Sequence, residues 1–74
     1  MIEINGEAWR LVFVSYNHPI LIRSNGSKTI GVCDDKSKTI YIEKGLHPTL
    51  VKKVLCHELT HAAMFSYNIE LNME

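Results

Sequence analysis

The sequence has little of what marks a secreted or membrane-bound protein. Its 74 residues contain only two cysteines, Cys33 and Cys56, which are far apart and not in a C-x-x-C pair. A small secreted domain held by disulfides carries more, so we expect two free thiols in a reducing cytoplasm, with a single bridge between them as the alternative. No apolar run approaches the length of a membrane span, and the N-terminus lacks the pattern of a signal peptide.

An excess of charge of one sign is also missing. Eight Lys and Arg residues balance eight Asp and Glu residues. Domains that bind nucleic acid or anionic membranes usually concentrate basic residues, so the balance predicts neither partner. Hydrophobic residues make up 46% of the chain, which is ordinary for a folded protein and argues against disorder.

The length limits the chain to one domain, 1–74, and short strands are predicted for about 2–43. Residues 2–4 alternate between apolar and polar, and the Asn-Gly pair at 5–6 is the strongest short signal for a hairpin turn. Residues 8–14 follow as a second strand rich in β-formers. A domain this small builds a small core and usually needs a metal, a partner chain or an additional element for stability.

Two more strands are predicted at 28–33 and 38–43, with a polar turn between them. In the last strand Ile40 and Ile42 alternate with more polar residues, so one face is expected on a core and the other toward solvent. These segments together predict a small, mainly antiparallel sheet.

One long helix is predicted for about 48–68. Pro48 suits the first helical position, and no further helix breaker follows within this range. Apolar residues recur at helical spacing and form one face, with Lys52 and Lys53 on the opposite face. The predicted centre of the apolar face is Val51, Leu55, Leu59 and Ala62. The aromatic residues expected in the core are Trp9, Phe13 and Phe65. The fold class is therefore α+β, a sheet packed against one long helix.

The helix carries the sequence His57-Glu58-Leu59-Thr60-His61, an H-E-x-x-H zinc motif. Two histidines four residues apart project from the same face one turn apart, so both imidazoles can bind one tetrahedral zinc ion. Glu58 cannot easily bind the same ion, but its carboxylate can take a proton from a water molecule that attacks a peptide carbonyl. His57 and His61 are thus the predicted metal ligands, and Glu58 is the predicted catalytic base.

Chance is the competing explanation for this motif. Two histidines and a glutamate at this spacing also arise on exposed helices, where they are solvated surface groups. Here they lie beside the apolar face, away from the basic residues. Ala62 and Ala63 place small side chains next to them. The context therefore favours the zinc site.

The similarity to a known family covers nearly the whole chain. Residues 31–34, 39–42 and 51–62, together with Ile4-Asn5-Gly6, Trp9 and Phe13-Val14, resemble the small metallopeptidases of phages and prophages that are grouped with the ImmA/IrrE-type zinc peptidases. The active-site helix is the specific part of this resemblance.

The resemblance implies a minimal zincin-like core with the strand at 39–43 beside the cleft, where a strand edge receives an extended peptide. It also implies that His57 and His61 bind Zn²⁺, that Glu58 is the general base, and that the substrate is an intracellular protein such as a repressor.

The third metal ligand of this family is not evident. Zincins of this type use a third protein ligand, generally an acidic residue on a following helix, and the chain is expected to be cut short before that helix. Glu70 and Glu74 are the only carboxylates downstream of the motif. The other sources of a ligand are a neighbouring chain in a homo-oligomer and a missing C-terminal helix.

We therefore predict a cytoplasmic, zinc-dependent metallopeptidase that hydrolyses peptide bonds in a protein or peptide substrate. The alternative is a non-catalytic zincin-like module with an incomplete metal site that acts through binding or dimerisation. The third ligand separates the two, because a catalytic zinc needs three protein ligands and one open position, whereas two histidines hold zinc weakly.

Overall fold

The structure is a computed structural model that describes residues 2–67. Within this range the elements in chain order are β1 (Ile2–Ile4), β2 (Glu7–Val14), a 3-10 helix (Pro19–Leu21), β3 (Gly31–Asp34), β4 (Thr39–Glu43) and α1 (Pro48–Tyr67). The sheet packs against the long helix, so the predicted α+β class is confirmed. The third strand is shorter than predicted and begins at Gly31.

Asn5 and Gly6 form the tight turn between β1 and β2. Their φ angles are positive, 49° and 80°, as a two-residue hairpin turn of the primed type requires. Glycine adopts such an angle at little cost, and asparagine tolerates it better than most residues. Ile4 pairs with Glu7 directly across this turn, which confirms the predicted hairpin.

The strands lie in the order β1-β2-β4-β3. β2 pairs with β4 in parallel, and the other two pairings are antiparallel. A parallel pair needs a long connection, and residues 15–38 provide it with the 3-10 helix and β3 inside it. β2 and β4 are therefore interior strands, and β1 and β3 are the edges of the described sheet.

The core lies between the sheet and α1. Its buried residues are Trp9, Ile40, Ile42, Val54 and Ala62. Trp9 is fully buried, and its indole N–H donates a hydrogen bond of 3.0 Å to the Ser66 hydroxyl of α1. The Asn5 side-chain amide donates another, of 2.8 Å, to the Ser66 carbonyl oxygen. The first hairpin is thus tied to the last described turn of the helix.

Two of the three aromatic residues predicted in the core are exposed. Phe13 is 44% exposed and Phe65 is 47% exposed, whereas Trp9 is buried as predicted. Helix α1 packs mainly against β3 and β4, so it leaves Phe13 on β2 uncovered. Phe65 lies at the rim of a cleft described below. Both core predictions are therefore wrong.

The start of α1 is fixed by local hydrogen bonds. Pro48 is the first helical residue, and the backbone N–H of Thr49 donates a 3.2 Å hydrogen bond to Nδ1 of His47. The imidazole thus satisfies one of the N–H groups left free in the first helical turn. Neither helix within residues 2–67 combines the length and apolar character that a membrane crossing requires.

Candidate functional site

His57 and His61 face each other across one turn of α1. Their Nε2 atoms are 3.0 Å apart, and their ring centroids are 4.7 Å apart with the planes at 76°. At this distance either one nitrogen donates a hydrogen bond to the other, or both lone pairs are directed at one cation. His57 is exposed and His61 is half-buried, so a cation bound here has an open side.

The donor atoms of the two histidines fit zinc. Two nitrogens that bind one tetrahedral zinc at about 2.0–2.1 Å are separated by about 3.3–3.4 Å, a few tenths of an ångström more than in this structure. Imidazole nitrogen is among the preferred ligands of zinc. A small rotation of either ring is enough to reach the coordinating geometry.

Glu58 lies on the buried face of α1 and is only 8% exposed. Burial raises the pKa of its carboxyl above the usual value, and electrostatic interactions with His57, His61 and Arg23 partly offset this by lowering it. A raised pKa makes the carboxylate a stronger base nearer to neutral pH, which is what a general base requires. No hydrogen bond or ion pair from residues 2–67 occupies the carboxylate.

Gly31 of β3 makes this placement of Glu58 possible. A Cβ atom at Gly31 would lie 2.5 Å from Cγ1 of Val54 and 3.3 Å from Oε2 of Glu58. The helix therefore approaches the strand closely only because this residue has no side chain. Glycine in a predicted strand is a recognised signal of such an approach, and by this signal the sequence could have singled out Gly31.

The same contact sets which side of α1 is buried. The buried stripe consists of Val54, Glu58 and Ala62. Three residues predicted at its centre are only half-buried, namely Val51, Leu55 and Leu59. Apolar periodicity thus predicts the helix and the rough direction of its buried face. The contact with Gly31 rotates that face toward Glu58.

A cleft of about 580 Å³ opens beside the motif. Its walls are α1, β3 and the segment 20–30 that precedes β3. His57, Glu58 and His61 all line it, so the structure brings the three predicted site residues together at one opening. The volume lies within the range of pockets that bind small ligands or peptide side chains.

The strand at the cleft is β3, and the prediction that the strand at 39–43 receives a peptide there is wrong. β4 pairs with β2 on one side and β3 on the other, so it has no free edge. The N–H of Glu43 donates to the carbonyl oxygen of Ile30, and hydrogen-bonded pairs alternate along an antiparallel ladder. The backbone groups of Cys33 therefore point away from β4, and β3 is the edge that a peptide can join.

Within residues 2–67 no third His, Cys, Asp or Glu completes a metal-binding cluster with the two histidines. The predicted third ligands, Glu70 and Glu74, lie outside the described residues. Both remain predictions.

The two cysteines are free thiols, as predicted. Cys56 is exposed on α1. Burial and then the negative charge of Glu58 raise the pKa of the Cys33 thiol to about 12. A thiol with so high a pKa is a weak nucleophile at neutral pH, so no catalytic role is assigned to the Cys33 side chain.

Lys53 and Phe65 also line the cleft, although the helical pattern predicts Lys53 on the face opposite the apolar one and Phe65 in the core. Each is four residues from a histidine of the motif, and residues four apart lie on the same side of a helix. That spacing is the signal by which the sequence could have placed both of them beside the site. Arg23, on the opposite wall, carries no such signal.

Comparisons of the chain with protein-family models, curated proteins and solved structures found no match. The resemblance to the phage metallopeptidases therefore stays a prediction.

Proposed function

We propose that this chain is a zinc-dependent metallopeptidase. The observation that carries the proposal is the convergence of the two Nε2 atoms of His57 and His61, 3.0 Å apart, at a cleft that also contains Glu58. The four-residue spacing alone brings the histidines together, but it does not place them beside a buried carboxylate and an edge strand of the described sheet. The resemblance to phage and prophage peptidases supports the same activity on an intracellular protein.

Each residue of the motif has a distinct role in this proposal. His57 and His61 would hold the zinc ion, which when bound would supply a Lewis acid that polarises a peptide carbonyl and a water molecule. Glu58 accepts a proton from the attacking water and delivers it to the leaving amine. Its burial keeps the carboxylate in one place, while its position on the cleft wall keeps it within reach of a substrate.

The free edge of β3 supports a peptide substrate in particular. An extended chain that pairs with the outward N–H and carbonyl groups of Cys33 passes along the cleft, beside the histidines. Pairing through the backbone holds a peptide irrespective of its sequence.

Replacing Glu58 with Gln tests the proposal. The amide cannot accept the proton, so the hydrolysis rate of a quenched fluorescent peptide should fall by about 10²- to 10⁴-fold, while the zinc content measured by atomic absorption stays unchanged. Glu3→Gln is the matched control, because Glu3 is exposed on β1 away from the cleft. Equal hydrolysis by Glu58→Gln and the wild type would remove Glu58 from the mechanism.

A second candidate is a non-catalytic module that binds a partner or a second copy of the chain. It is favoured by the absence of a third metal ligand within residues 2–67. Weak zinc binding, seen as loss of zinc to a mild chelator, would support this candidate instead of the peptidase.

A further inference from the structure

Four side chains form one row along the cleft side of α1. Lys53, His57, His61 and Phe65 are each four residues apart, and all four line the cleft. Successive members of such a row are about 6 Å apart along the helix axis. The histidine pair therefore lies midway between a basic end at Lys53 and an aromatic end at Phe65.

The aromatic end of the row offers apolar surface to a ligand. Phe65 is 47% exposed, and Ile22 on the opposite wall is 50% exposed. Both line the same cleft. Large apolar side chains that gather at a concave opening, instead of being scattered over a surface, indicate a binding site for an apolar group.

The basic end of the row offers a charge without a partner among residues 2–67. Lys53 is exposed, and none of the ion pairs within this range includes it or Arg23, the second cation that lines the cleft. Among residues 2–67, Glu58 is the only acidic residue of the lining. Two cations against one carboxylate, in a chain with no net charge, make the cleft complementary to an acidic ligand.

We infer that the cleft selects peptides with an acidic side chain on one side of the scissile bond and a large apolar side chain on the other. Lys53 binds the acidic group and Phe65 packs against the apolar one. The two are about 18 Å apart along the helix axis, which corresponds to about five residues of extended peptide. This inference rests on the proposed function in treating the cleft as a peptide site, and it adds the sequence preference.

The preference is measured first as binding, without hydrolysis. The full chain, as the zinc-loaded Glu58→Gln variant, is titrated by NMR with peptides that carry Asp and Phe five residues apart in both chain orders. In the order that binds, changing Asp to Lys should weaken binding about threefold, because the contact is exposed to solvent. Changing Phe to Ala should weaken it about tenfold through lost apolar burial.

Variants of the chain assign the two preferences to their residues. Lys53→Glu should reverse the preference, so that the Lys peptide binds better than the Asp peptide. Phe65→Ala should abolish the discrimination between Phe and Ala peptides. The matched controls are Lys52→Glu and Tyr67→Ala, because both residues are exposed on α1 and neither lines the cleft.

Two outcomes overturn the inference: no binding of either peptide order, or equal effects of Lys53→Glu and Lys52→Glu. Cleavage by the zinc-loaded chain separates this inference from the proposed function. Selective binding without cleavage supports the inference and contradicts the peptidase. Cleavage that ignores both side chains supports the peptidase and contradicts the inference.

Discussion

At the scale of single residues, Glu58 is the least ordinary feature of the chain. A carboxylate in the middle of the buried stripe of a helix is costly unless it is paired or protonated. Here the two neighbouring histidines and Arg23 lower its pKa, against the larger effect of burial. A cation held by the histidines would stabilise the ionised form further.

Cys33 offers a test of the electrostatics around Glu58. Because its thiol pKa is raised to about 12, almost none of it is thiolate at pH 8, and the thiolate is the reactive form. Iodoacetamide should therefore label Cys33 at least about tenfold more slowly than the exposed Cys56, with the rate at Cys33 rising as pH approaches 12. Peptide-level mass spectrometry measures both rates in one sample. Equal rates at pH 8 would contradict the half-buried, acidic surroundings of Cys33.

The sequence predicts how the histidines of the motif lie relative to each other. It does not predict which residues surround the motif. The four-residue spacing of His57 and His61 places them together whatever the rest of the chain does, because it depends only on helical geometry. The burial of Glu58 depends on Gly31, which is distant in sequence. A contact of that kind leaves no periodic trace, so the pattern of α1 alone could not reveal it.

At the scale of elements, the contact between α1 and β3 decides the geometry of the site. Gly31→Ala places a methyl group 2.5 Å from Val54 Cγ1 and forces the helix away from the strand. We expect a loss of about 1–3 kcal/mol in the free energy of unfolding, measured in urea.

A double-mutant cycle provides the control for this prediction. Val54→Ala alone should also destabilise the chain, through the cavity that it leaves. The double variant, Gly31→Ala with Val54→Ala, should lose less unfolding free energy than the sum of the two single variants. The reason is that the smaller side chain at position 54 makes room for the new methyl group. Strictly additive losses would show that the two residues do not meet.

The hydrogen bond from Trp9 to Ser66 is the second contact between elements with a measurable effect. Ser66→Ala leaves the buried indole N–H without its acceptor, which costs about 1–3 kcal/mol of unfolding free energy. Thr60→Ala is the control, because that hydroxyl donates only to the Cys56 carbonyl of its own helix and is exposed. A loss from Ser66→Ala no larger than that from Thr60→Ala would contradict the proposed tie between the hairpin and the helix.

Elements with local signals could be predicted, and their long-range pairing could not. Asn5 and Gly6 fix the first hairpin through their own backbone angles, and Pro48 and His47 fix the start of α1. The parallel pairing of β2 with β4 brings together segments that are far apart in the chain. No short turn specifies such a pair, so the interior position of β4 and the free edge of β3 emerge only in the structure.

At the scale of the whole molecule, the core is small. Within residues 2–67 only seven hydrophobic residues are buried, and a domain of this size is usually marginal without a further source of stability. A metal ion bound only by the folded state stabilises that state in proportion to its occupancy. Zinc is thus expected to support the fold as well as the reaction, provided that a third ligand is present.

The zinc content of the chain after dialysis against a weak chelator is the most direct test of this account. We expect one zinc per chain, lost in His57→Ala and in His61→Ala but kept in His18→Ala, whose imidazole caps the 3-10 helix instead. One zinc in the wild type establishes that a third ligand is supplied, by Glu70, Glu74 or a partner chain. Zinc that remains stoichiometric in both motif variants, or that is absent from the wild type, would contradict the central claim.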